Sequence, residues 1–120
     1  MTVRPIDSFD EAVAYALTLP DTELSTSYGK PAVKVKSNGR AFLYTDHEHQ
    51  DSFGIAIDMD MIEILKETDP DTFFQTPHYE GWPAVLIRFG SKDPERVRAM
   101  IERSRDWTAA KKPPRSRKKT

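Results

Sequence analysis

The side chains best suited to chemistry in this 120-residue chain gather in one short run, Asp46-His47-Glu48-His49-Gln50-Asp51. Alternation puts the imidazoles of His47 and His49 on one side of an extended segment, with carboxylates beside them to complete a metal shell. The same letters also describe a solvated loop between two strands. Three side chains from one flexible loop hold a metal weakly, and His78, the remaining histidine, is far along the chain. No metal and no cofactor is therefore expected. Nucleophilic chemistry fares no better. There is no cysteine, which removes thiolates, disulfides and Cys-based zinc sites. No Gly-x-Ser-x-Gly elbow occurs, and the five glycines are scattered singly, so no phosphate-cradling loop forms. The expectation is a domain that binds and does not catalyse.

Binding chemistry is better represented. Six of the eighteen basic residues, Lys111, Lys112, Arg115, Arg117, Lys118 and Lys119, lie in the last ten positions, where no acid occurs. Residues 1–110 keep twelve basic and nineteen acidic side chains, a net of −7. Charge segregated in this way is common in interaction tails. An acidic body is not drawn to nucleic acid by its overall field, so any polyanion must find a local basic patch. One is available. Lys34 and Lys36 share a strand face, Lys30 stands at its base, Arg40 follows the turn, and Arg88 belongs to a later strand. Phe42 and Tyr44 share a face on the returning strand, where they would stack on bases if turned outward and join the core if turned inward. Lysines on an exposed strand face also serve as ordinary edge protection.

The elements that position these residues follow from periodicity. Ser8-Phe9-Asp10-Glu11 is a capping box, and Phe9, Val13, Ala16 and Leu17 recur at helical spacing until Pro20 stops the helix at Leu19. From Ser25 to Asp58 the period is two, with room for four strands. Val33 and Val35 alternate with Lys34 and Lys36; Asn38-Gly39 marks a tight I′ hairpin turn; Ala41 to Thr45 returns; Phe53, Ile55 and Ile57 form another strand. Asp60 N-caps a short helix that ends at Asp69-Pro70. Phe73 to Gly81 reads as a loop or short strand, and Val85, Ile87 and Phe89 alternate along a further strand. Asp93-Pro94 opens a final helix on which Val97, Met100, Ile101, Ser104 and Trp107 form one stripe. Arg98 is spaced to pair along that helix with Glu95 and Glu102. The class is α+β, an antiparallel sheet with helices on one face in the order α-β4-α-β-α. Residues 1–107 make one domain and 108–120 a disordered basic tail. No apolar run approaches the roughly 20 residues of a membrane span, and the first residues lack a secretory apolar stretch. A soluble cytoplasmic monomer is expected.

Three stretches carry a family likeness. Phe9 to Pro20 is a helix closing on Leu-Pro; Tyr28-Gly29-Lys30-Pro31-Ala32-Val33-Lys34-Val35 contains Gly-x-Pro-x-x-x-Val; and His78-Tyr79-Glu80-Gly81-Trp82-Pro83 contains His-Tyr-x-Gly-aromatic-Pro before a strand. Over about residues 9–107 the chain resembles the MmcQ/YjbR family, whose fold is similar to frataxin and has been described as a double wing. The resemblance implies DNA binding. Here the contacts would be Lys30, Lys34, Lys36, Arg40, Arg88, Lys111, Lys112, Arg115, Arg117, Lys118 and Lys119, touching phosphates without sequence preference. The alternative is a protein- or small-ligand module on the sheet face, with Tyr28, His78, Tyr79 and Trp82 lining a cleft. The frataxin likeness implies a third reading, metal handling, for which Asp10, Glu11, Asp21 and Glu23 are too scattered to form a carboxylate ridge.

Overall fold

A computed structural model of the chain describes residues 3–27, 29–45 and 50–112. In chain order these form α1 (Phe9–Ala16), β1 (Thr22–Ser27), β2 (Lys30–Val35), β3 (Ala41–Thr45), β4 (Ser52–Ala56), α2 (Met59–Thr68), β5 (Phe73–Phe74), β6 (Ala84–Arg88) and α3 (Pro94–Ala109). The strands make one sheet in the order β1-β2-β3-β4-β6-β5, every neighbour antiparallel. The α+β class and the four strands between the first two helices are as the sequence implies. Among the described residues no helix is long and apolar enough to cross a membrane.

Register explains the core. Val33, Leu43, Ile55 and Val85 lie opposite one another across β2, β3, β4 and β6, so they share one face. They are buried together with Phe53, Ile57 and Ile87 of the sheet, Ala12 and Ala16 of α1, Ile62 and Leu65 of α2, and Val97 and Ile101 of α3. Ser104, in the same stripe of α3, is fully buried; its hydroxyl lies 3.1 Å from the Phe42 carbonyl and 2.5 Å from that of Ala56. That bond meets a local irregularity. Val33 pairs with Leu43 but Lys34 pairs with Ala41, so Phe42 is an extra residue on β3. A bulge of this kind re-aims side chains. Phe42 is fully buried in the helical core, whereas Tyr44 stands in the next row with Ala32 and Gly54, away from it.

Local chemistry departs from expectation at several element ends. Ser8 caps α1, accepting from the Glu11 N–H at 3.1 Å, but the Glu11 carboxylate reaches back one residue further, to the Asp7 N–H at 2.8 Å. The helix closes at Ala16, because the Thr22 hydroxyl takes the Ala16 and Leu19 carbonyls (3.2 and 2.8 Å) and the Leu17–Pro20 segment forms a turn. Asp58, not Asp60, caps α2: its backbone is extended and its carboxylate accepts from the Met61 N–H at 3.2 Å. The β2–β3 connection is longer than a two-residue I′ turn. Gly39 has positive φ (72°), but Asn38 does not. The Asn38 side chain is buried instead, donating to the Thr108 and Lys111 carbonyls (2.8 and 3.0 Å) and accepting from the Arg40 N–H. It thus satisfies carbonyls at the C-terminus of α3, which every helix end leaves open. α3 itself continues through Ala109, two residues past the expected domain boundary, and Lys111 and Lys112 offer their carbonyls to the hairpin.

The sheet face opposite the helices is not uniformly wet. Ala32, Tyr44, Gly54, Leu86 and Phe74 form one row across it, and Leu86 is fully buried, so the β6 end is covered.

Candidate nucleic-acid interface

Among the described residues, a groove on the outer sheet face gathers several of the residues that the sequence singles out. Two adjoining concavities, about 330 and about 610 Å³, share Ser27, Arg40, Ala41, Ala56 and Pro83, and so form one groove. At one end stand Lys34, Trp107, Thr108 and Lys111; at the other, Lys30, Tyr44, Thr45, His78, Tyr79, Trp82 and Ala84. Small residues make the floor. Ala56 and Ala84 face each other on β4 and β6, and Ala41 faces Lys34. Gly54 is buried beneath Tyr44, and a Cβ there would lie 2.5 Å from the Tyr44 ring. Tyr44 therefore lies flat on the sheet because position 54 has no side chain. Burial pushes its hydroxyl well above the ordinary phenol value, and the neighbouring Tyr79 adds to the shift.

A short segment, 75–83, builds the aromatic wall. After β5 it turns tightly: the Tyr79 and Glu80 N–H groups donate to the Thr76 carbonyl (2.8 and 3.1 Å), and the Trp82 N–H to that of Tyr79 (2.9 Å). Gln75 holds it from beneath. Its amide nitrogen lies 3.2, 3.3 and 2.7 Å from the carbonyls of Tyr79, Trp82 and Ala84, while its oxygen accepts from Lys66 of α2 at 2.9 Å. His78 meets Tyr79 edge-on, ring centres 5.2 Å apart. Trp82 remains 65% exposed at the mouth, the most exposed of the large hydrophobics among the described residues.

The groove's electrostatics differ from those of the body. Lys30, Lys34, Arg40 and Lys111 line it, and among the described residues no acidic side chain does. Lys111 lies 3.9 Å above the Trp107 ring, and Arg40 is anchored through Nε to the Lys112 carbonyl at 2.5 Å. Glu23 stands opposite Lys34 in the ladder, yet no ion pair links them. Lys36 is exposed beyond the strand end and does not line the groove. Arg88 projects from β6 to the same outer face, but its guanidinium is already engaged. Its guanidinium sits 4.0 Å over Phe74, donates to the Pro70 and Asp71 carbonyls (3.5 and 3.2 Å), and lies 3.9 Å from Asp51. It staples β5 to β6 and does not line the groove. Of the remaining nominated residues, Tyr28, His47, His49, Arg115, Arg117, Lys118 and Lys119 lie outside the described residues. Among the described residues no group of three or more His, Cys, Asp or Glu comes together to hold a metal.

A protein-family model described as YjbR matches residues 17–107, most of the chain. The chain belongs to the YjbR family. That match takes in all six strands, α2, most of α3 and every groove residue except Thr108 and Lys111. No curated protein and no solved structure matches the chain. For this YjbR protein, sequence reasoning missed the alanine floor, Gln75 and Trp107's place in the groove. Small residues at alternate outward positions, Gly54 and Ala56 of β4 and Ala84 of β6, were the available signal of a concave face.

Proposed function

We propose that this YjbR-family chain binds nucleic acid through the outer groove, as a monomer and without catalysing a reaction. The observation that carries the reading is the charge of the groove: among the described residues four cationic side chains and no acid line it, and residues 1–110, which hold three of the four, have a net charge of −7. Lysine is a point charge without the bidentate fork that reads base edges, so phosphates are the expected contacts and sequence preference is small. Four further basic residues, Arg115, Arg117, Lys118 and Lys119, follow in the sequence. A chain without cysteine suits the reducing cytoplasm.

Fluorescence anisotropy with labelled oligonucleotides over a salt series tests this. With about four to six phosphates neutralised, log K on duplex falls against log salt with a slope of about −4 to −5. Lys30→Glu with Lys34→Glu flattens the slope and leaves the fold intact. Absence of binding by the full chain at low salt, or an unchanged slope in the double variant, contradicts the reading.

One observation favours a second reading. The larger concavity falls within the roughly 300–1,000 Å³ of small-molecule sites and has His78, Tyr79 and Trp82 on its wall. A small anionic aromatic ligand would use the same cations and rings, and it would bind with a shallow salt dependence.

A further inference from the structure

We infer that the groove selects single-stranded over duplex nucleic acid, with unpaired bases stacked on the Trp82 wall and phosphates carried by Lys30, Lys34 and Arg40. The inference rests on the nucleic-acid reading and adds the form of the ligand. Three observations support it.

First, two of the three cations are recessed, while Lys30 stands exposed. Lys34 and Arg40 are half-buried in the groove wall and not raised on a convex surface. A duplex backbone passes over such a groove, whereas a single strand can lie within it. Second, the aromatic wall offers ring faces. In a duplex the faces of the bases are covered by their neighbours, and only their edges are presented in the grooves. A side-chain ring can stack only on a base that has left the duplex, which is how single-strand binders hold successive bases without sequence preference. Trp82, exposed at the mouth and across the groove from the cations, is placed for that contact. Third, the wall is already in shape. The Gln75 amide bonded to the carbonyls of Tyr79, Trp82 and Ala84 fixes the segment that carries the ring, which lowers the ordering cost of binding.

The test compares a labelled oligothymidylate, or its oligouridylate counterpart, of about eight nucleotides with a duplex of the same length, on the full chain at one salt concentration. The strand binds at least about tenfold tighter than the duplex, since each stacked base contributes about that factor or more. Trp82→Ala removes most of this preference, weakening the strand far more than the duplex, and leaves the salt slope of both ligands unchanged. Trp82→Phe keeps a ring face and retains part of the preference. Lys34→Glu weakens strand and duplex alike. Equal affinity for strand and duplex, or a Trp82→Ala loss of the same size on both, overturns the single-strand inference while the nucleic-acid reading stands. No binding of either ligand at low salt overturns both.

Discussion

On the helical side of the sheet, Arg103 grips Asp58 at 3.0 and 3.2 Å, Arg4 meets Glu11 at 2.7 Å, and Arg105 donates to Asp106 and to the Pro20 carbonyl. On the outer side, Lys30 and Lys34 have no ion-pair partner among the described residues. The expected pairs along α3 are replaced by contacts across to α1 and to the segment before it. Arg98 donates to the Arg4 carbonyl and lies over Tyr15, and Glu102 accepts from the Tyr15 hydroxyl. Burial first, and that bond second, push the Tyr15 hydroxyl up to about 12, so it stays a donor through the physiological range. Arginines with a planar fork are engaged in holding elements together, and Arg88 on the outer face does the same. Lys30 and Lys34 make no such contact among the described residues, while Lys111 lies over the Trp107 ring. Counting basic residues would have treated the two sides as equivalent; asking what each already touches separates them. The third concavity sharpens the contrast. It lies on the helical side and meets the groove at Trp107, and Asp58, Glu102 and Asp106 line it with Arg103, so it would repel the polyanion proposed for the groove.

If stability resides on the helical side and binding on the outer side, substitutions should divide along that line. Ile55→Ala, in the centre of the buried row, has the largest effect, lowering stability by about 2–5 kcal/mol in denaturant unfolding. The folded fraction should still bind normally. Gly54→Ala comes next and spoils both properties. Its Cβ collides with the Tyr44 ring, which must tilt into the groove, at a cost of about 1–3 kcal/mol and with reduced affinity. A variant of wild-type stability and affinity would show that Tyr44 does not lie where its ring meets position 54.

The Arg103–Asp58 pair gives a smaller, pH-dependent effect. The Arg103 guanidinium holds the Asp58 carboxyl below its ordinary value, and the α2 N–H groups assist. A depressed carboxylate pKa contributes stability above the unfolded value, lost as pH falls through the folded one, so the contribution fades below about pH 4. The pair is partly exposed and contributes about 0.2–1 kcal/mol. Asp58→Asn keeps a cap acceptor without the charge, so thermal melts of the variant should show less acid sensitivity than wild type. The smallest effect on stability belongs to Lys30→Gln with Lys34→Gln, within about 0.5 kcal/mol of wild type. A melting temperature several degrees lower would mean that these lysines support the fold.

Much of this division was legible in the sequence, for reasons that residues show individually. Val33, Ile55 and Val85 alternate in strands buried on one face, so their direction follows from the period. Asn38-Gly39 announced a turn, but its length was decided by the Asn38 side chain reaching the end of α3, a contact between positions far apart in the chain. Phe42 and Tyr44 were indistinguishable by period, and the bulge opposite Lys34 separates them. The basic face was nominated in outline from Lys30, Lys34 and Arg40. Arg88 projects to that face too but lies outside the groove, held by Phe74 and Asp51, its neighbours in space. Trp82 carried no periodic signal at all, since it sits on a turn whose shape depends on Gln75 and Lys66.

A titration of the isotope-labelled chain with a short single strand, followed by amide and indole resonances, tests the central claim most directly. Residues of the outer groove should move together: the amides of Lys30, Lys34, Arg40, Ala56 and Tyr79, and the Trp82 indole N–H. Those of α1 and α2, and the Asp58–Arg103 region, should stay in place. Shifts centred on the helices, or none at the groove while the strand is bound, would contradict the assignment of binding to the outer face.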